Sequence, residues 1–207
     1  MTAAARTKPG RRFMTTAEYL ALPTDDTRTE LIYGEVVVSP SPAFEHQVLI
    51  YCLVDLLTRW TRHFKLGKVA FDVDMVLDVR KALIFAPDIV FLAAANEARL
   101  RRGRIYGPAD LCVEVLSPSD RPSIQNRRFA DYERYGVPWY WVVRPDGKTP
   151  IIEENELVDG KYRCRSEISG DTWFEPGLFP GLVFRLPPMI AGQDLKAAVK
   201  GKAKKLV

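Results

Sequence analysis

Leu111-Cys112-Val113-Glu114-Val115-Leu116-Ser117-Pro118-Ser119 is the stretch that decides the fold. Its first six residues are apolar but for one, a length that suits a strand, and Ser-Pro-Ser closes the run. Working outward, Ser123 to about Tyr135 has helical spacing, and Gly136-Val137-Pro138 ends that helix and launches a second apolar strand, Trp139 to Val143. Upstream, strands are expected at Val69 to Leu77 and at Ile84 to Leu92, with a polar connection from Ala93 to Gly107 that carries Arg99, Arg101, Arg102 and Arg104. Before them stands a helix whose Val48, Cys52, Leu56 and Trp60 recur every four residues beside Leu49, Leu53 and Leu57, a wide apolar stripe. Ser41 is its expected N-cap, with Pro42 at the first helical position.

At the N-terminal end, Thr15 and Glu18 have capping-box spacing and start a short helix that ends near Leu22-Pro23. Glu30 to Val38 reads as two short strands hinged at Gly34. Ile151 to about Leu186 reads as further β hairpins, with turns at Asp159-Gly160 and Ser169-Gly170. The order helix, three strands, helix, strand predicts an α/β fold, a mixed sheet flanked by helices with β hairpins added at both ends. The expected organisation is a basic N-terminal tail over 1–13, a single domain over 14–190 and a basic C-terminal tail over 191–207.

The bulk numbers exclude several classes. The chain has 207 residues, 47% hydrophobic and 27% charged, as in ordinary globular proteins. No run approaches a membrane span, and the basic N-terminus lacks the apolar core of a secretory signal. Cys52, Cys112 and Cys164 are odd in number and scattered, so they read as buried thiols in a reducing cytoplasm. Two histidines, His46 and His63, argue against a zinc enzyme. A net charge of +4 permits nucleic-acid binding without requiring it, because much of the excess lies in the ends of the chain, where a solvated tail is the commoner use.

Two acids stand out. Asp88 opens the apolar run Ile89-Val90-Phe91-Leu92, and Glu114 interrupts Leu111 to Leu116. A buried carboxylate needs a partner or a metal, and two of them on neighbouring strands invite a hard divalent cation such as Mg²⁺ or Mn²⁺. The plainer alternatives are that Asp88 caps a strand end after Pro87, and that Glu114 faces solvent or pairs with an arginine.

Pro87-Asp88, Glu114-Val115-Leu116-Ser117-Pro118-Ser119, Tyr135-Gly136-Val137-Pro138 and Tyr140-Trp141-Val142-Val143 together resemble the Uma-type restriction endonuclease family, within the PD-(D/E)xK nuclease superfamily. Glu30 to Glu35, His46-Gln47 and Leu178-Phe179-Pro180-Gly181-Leu182 extend the resemblance from about Met14 to Leu186. It implies a restriction-endonuclease-like fold and a metal-dependent endonuclease that hydrolyses phosphodiester bonds in DNA. It further implies Mg²⁺ or Mn²⁺ at Asp88, Glu114 and the carbonyl of Val115, with Glu35 and His46 lining the same cleft. A buried or capping histidine and a solvated hairpin glutamate are the plain alternatives for those last two.

The superfamily's lysine, two residues after the glutamate, is Leu116 here. The family instead takes its lysine from the next helix, four residues before a tyrosine. With Tyr132 as that tyrosine, the position is Arg128. Ile124, Arg128 and Tyr132 are spaced four apart, which by itself turns Arg128 toward an apolar face; the plain alternative is a surface arginine beside Arg127 and Asp131. Trp139 and Arg144 also replace acids usual in the family. The expected protein is a cytoplasmic homodimer, since cutting both strands needs two sites. The competing expectations are a weak or inactive nucleic-acid-binding or regulatory module, and a partner-binding protein with a vestigial site.

Overall fold

The computed structural model describes residues 12–23, 28–38, 42–117, 122–145 and 149–207. Helix α1 (Thr16–Leu20) opens the fold, and its capping box is formed in full: Thr15 Oγ1 accepts from Glu18 N at 3.2 Å and Glu18 Oε2 accepts from Thr15 N at 2.8 Å. Strands β1 (Thr29–Ile32) and β2 (Glu35–Val38) follow, then the long helix α2 (Phe44–His63). Next come β3 (Gly67–Phe71), β4 (Met75–Asp78), β5 (Leu83–Phe85), β6 (Ile89–Ala93), β7 (Leu100–Arg101), β8 (Arg104–Tyr106) and β9 (Leu111–Val115). The chain continues through α3 (Pro122–Tyr135), β10 (Trp139–Arg144), β11 (Ile151–Val158), β12 (Lys161–Ser169), β13 (Val183–Phe184), α4 (Leu186–Ile190), α5 (Leu195–Ala198) and β14 (Val199–Lys200).

Among the described residues the strands form two six-stranded sheets and a two-stranded ladder. The central sheet runs β12-β11-β10-β9-β6-β3, and the covering sheet runs β2-β1-β5-β4-β8-β7. β9 and β10 are parallel, joined by the α3 crossover, while β6 and β11 flank them antiparallel. Three hairpins turn on a residue followed by glycine, both with positive φ: Tyr33-Gly34, Arg102-Gly103 and Asp159-Gly160. That geometry follows the right-handed twist of the flanking strands, and glycine takes its second position without strain.

Period-2 alternation sorts the central sheet into two faces. Ile89, Phe91, Leu111, Val113, Val115, Trp141 and Val143 join the cluster built by Leu49, Leu53, Leu56, Leu57 and Trp60 of α2 and by the C-terminal segment. Val90, Leu92, Cys112, Tyr140 and Val142 face the other way, onto Met75, Leu83 and Phe85 of the covering sheet and Tyr132 of α3. Asp88 and Glu114 share this second phase.

The structure corrects several boundaries. Val69 to Leu77 is two strands in different sheets, parted at Asp72 with its positive φ, and Ile84 to Leu92 likewise divides at Ala86-Pro87-Asp88. α2 begins at Phe44, with Ala43 as a cap that makes no side-chain bond; Ser41 lies outside the described residues. The 191–207 segment differs from a solvated tail. α5, β14 and the turn over Gly201–Lys205 bury Ala198, Val199 and Ala203 in the core, and β14 pairs with β13. Cys164 is exposed, whereas Cys52 and Cys112 are buried. Most of the basic N-terminal tail lies outside the described residues.

Candidate metal and nuclease site

The β6–β9 ladder pairs Ile89 with Val113 and Val90 with Cys112. One step further along the same register sets Asp88 against Glu114, on the face that meets α3 and β1. Both are buried, 6% and 2% exposed, and so is Glu30 of β1 at 2%. An unpaired ionised carboxylate in such a place would be costly, and each is paired. Asp88 Oδ2 accepts the Val115 N–H at 2.8 Å and Oδ1 accepts Arg28 Nη1 at 2.8 Å. Glu114 Oε1 accepts the Tyr132 hydroxyl at 2.8 Å and Oε2 accepts Arg128 Nη1 at 2.7 Å.

Arg128 divides its fork. Nη2 donates to Glu30 Oε2 at 2.7 Å, so one guanidinium spans two buried carboxylates while its carbon lies 5.5 Å from the centroid of the Phe85 ring. The helical spacing that turned Arg128 inward describes its position; it is not a surface arginine. Its partners are held in turn, because Glu30 Oε1 accepts the Ala86 N–H at 2.9 Å. Arg28 grips the same residue from its other side, donating to the Ala86 carbonyl at 2.5 Å. Arg28, just before β1, and Glu30, within it, thereby fix the segment that delivers Asp88.

His46, in the first turn of α2, brings Nε2 within 2.7 Å of the Val115 carbonyl and 3.7 Å of Asp88 Oδ2. Its Nδ1 is buried with no hydrogen-bond partner among the described residues. Glu35 is half-buried at the start of β2. The β1–β2 register sets it opposite Ile32, on the ribbon face that also carries Glu30. Ser117 is described, whereas Pro118 and Ser119 lie outside the described residues.

Burial pushes the Glu114 carboxyl up to about 8, against the pull of Arg128 and with the charges of Asp88 and Glu30 adding to the rise. For Arg128, burial works against the charge, but Glu114 and Glu30 outweigh it and raise the guanidinium further. Arg28 follows the same logic: burial opposes its charge and Asp88 more than restores it.

Among the described residues no three His, Cys, Asp or Glu side chains converge to cage a metal. The donor set of Asp88, Glu114 and the Val115 carbonyl is all oxygen and small, which suits Mg²⁺ or Mn²⁺, ions that keep several waters. Each carboxylate oxygen offers two lone pairs, so the bonds already made leave directions for a cation. The set therefore fits. Sequence reading had missed Glu30 and Arg28. Their signal was weak: Glu30 lies in a strand where Leu31 and Ile32 are both buried, so alternation does not single it out.

Three of the four arginines of the 99–104 connection bond to the fold itself. Arg99 donates to the Pro108 carbonyl, Arg101 to that of Ala98, and Arg104 to Asp74. No helix among the described residues is long and apolar enough to cross a membrane.

The chain is similar over 86% of its length to the crystal structure of a "putative nuclease belonging to DUF820" from Anabaena variabilis ATCC 29413. The match covers 98% of that chain at a TM-score of 0.68 and 16% identity, and it shows that the two chains share a fold. Curated proteins yield no match. The model of the Uma2 family, described as "Putative restriction endonuclease", matches residues 16–187, from α1 into α4 and through every strand of the site. The chain belongs to the Uma2 family.

Proposed function

We propose that the chain is a divalent-metal-dependent endonuclease that hydrolyses phosphodiester bonds in DNA, with Asp88, Glu114 and the Val115 carbonyl holding Mg²⁺ or Mn²⁺. The observation that carries this reading is the cross-strand placement of Asp88 and Glu114, buried at the ends of β6 and β9, two strands that are otherwise apolar. When bound there, such a cation would supply charge to a phosphate oxygen and acidity to a water.

The chain's own residues do the rest. The Val115 N–H and Tyr132 orient the two carboxylates. Arg128 stays protonated, so it cannot take a proton from water as a lysine can; it stabilises negative charge that develops on the phosphate. His46 lines the cleft through Nε2, which lies against the Val115 carbonyl and beside Asp88. Glu35 lines the same cleft from the β1–β2 ribbon. Cutting both strands calls for two such sites, hence a homodimer, and the reduced cysteines suit the cytoplasm.

A second reading, a nucleic-acid-binding or regulatory module that does not cleave, draws support from Arg128, whose fork is already engaged by Glu114 and Glu30. Plasmid nicking with Mg²⁺ or Mn²⁺ separates the two. Wild type is expected to nick and Glu114→Ala to be inert. If wild type binds DNA without nicking it while Arg128→Lys cleaves, the second reading replaces the first.

A further inference from the structure

We propose that Arg128 and Glu30 form a latch on Glu114: the guanidinium competes with a cation for Glu114, and Glu30 retains it when the cation takes that place. The inference rests on the proposed cation site. Two of the bonds made by the carboxylates come from neutral groups, the Val115 N–H and the Tyr132 hydroxyl. These leave the charge of the carboxylates unspent. The other two bonds come from guanidinium groups, Arg28 on Asp88 Oδ1 at 2.8 Å and Arg128 on Glu114 Oε2 at 2.7 Å; of the two, Arg128 has a second buried carboxylate to hold it when a divalent cation adds two more charges of the same sign.

Glu30 gives that charge somewhere to stay. It lies outside the donor set, its Oε1 is anchored on the Ala86 N–H, and its Oε2 faces a different nitrogen of the same fork. Nη1 can therefore leave Glu114 while Nη2 remains on Glu30. Arg128 Nε has no hydrogen-bond partner among the described residues, so the two carboxylates hold the guanidinium at its tips, with the Phe85 ring beside it. A lysine has one ammonium and no fork. Seated on Glu30, it would leave Glu114 Oε2 open at unchanged net charge.

Calorimetric titration of the full, chelator-stripped chain with MnCl₂ tests the latch without reference to cleavage. Arg128→Lys and Arg128→Gln are both expected to bind Mn²⁺ about tenfold tighter than wild type or more, the worth of one charge-assisted hydrogen bond. The lysine variant decides between a latch and a simple field effect, since the charge is conserved. Glu114→Gln serves as the control that removes the site. If wild type binds and Arg128→Lys binds no tighter, the latch fails and the cation site stands. If wild type does not bind while Arg128→Lys does, the latch stands and wild type is no metal enzyme. If no protein binds, both ideas fall. Arg128→Gln leaves two buried carboxylates unpaired and risks misfolding; Arg128→Lys keeps their counter-charge and carries the test alone if it does.

Discussion

The two faces of the central sheet come from the same strands and obey the same alternation, yet each buries a glutamate in a different way. On the α2 face Glu154 lies opposite Trp141, fully buried, and accepts the Trp141 Nε1–H at 3.0 Å and the Gly177 N–H at 3.0 Å. Arg165 approaches it only from the rim, at 3.6 Å. On the α3 face Glu114 lies beside Val142 and meets a buried guanidinium, a phenol and, across the ladder, a second carboxylate. Burial raises both carboxyls. Neutral donors that tie down a loop are what a structural glutamate needs. Three carboxylates and two arginines are gathered in one place on the α3 face, and that concentration of buried charge supports the proposal that this face is the working one.

The contrast breaks most easily at Arg128. Arg128→Ala strands Glu114 and Glu30 without counter-charge, and urea unfolding should show a loss of about 3–5 kcal/mol. A loss below about 1 kcal/mol would mean that the guanidinium is not holding the pair. Tyr132→Phe removes one donor to Glu114 and is expected to cost about 1.5–3 kcal/mol in the same assay. Acid–base behaviour sharpens the contrast further. A folded carboxyl raised above its ordinary value contributes stability that is complete below about pH 4.5 and is lost as the pH rises through about 8. Urea midpoints should therefore fall between pH 5 and 8, and Glu114→Gln should flatten most of that slope; a midpoint that rises over this window contradicts the assignment. The smallest effect belongs to the other face. Glu154→Gln keeps an acceptor for Trp141 and Gly177 and loses only the rim contact with Arg165, so it should cost about 1 kcal/mol or less and leave Mn²⁺ binding unchanged.

Sequence reading went furthest where one periodicity ruled a whole segment. The four-residue recurrence of α2, the apolar strands β9 and β10 and the spacing of Arg128 and Tyr132 all carry a single signal, and each occupies the place it implies. It failed where a short apolar run changes sheet. Phe85 and Ile89 are both buried, yet they lie in different sheets, because the chain bends at Ala86-Pro87-Asp88, where Pro87 and Asp88 divide two strands that apolar composition alone joins into one. Glu30 was hidden for a related reason: its neighbours are buried on both sides of the strand, and its partners, Arg128 and Ala86, are 98 and 56 residues away. Pairings across such distances are tertiary facts. The basic C-terminal segment misled through composition, since its lysines face outward while Ala198, Val199 and Ala203 between them pack inward.

The most direct test of the central claim is anomalous diffraction from crystals of the full chain soaked in MnCl₂. The account predicts one manganese peak within coordination distance of Asp88, Glu114 and the Val115 carbonyl oxygen, with Arg128 shifted off Glu114 and still on Glu30. Saturating Mn²⁺ with no peak between Asp88 and Glu114, and Arg128 still bridging Glu114 and Glu30, would contradict it.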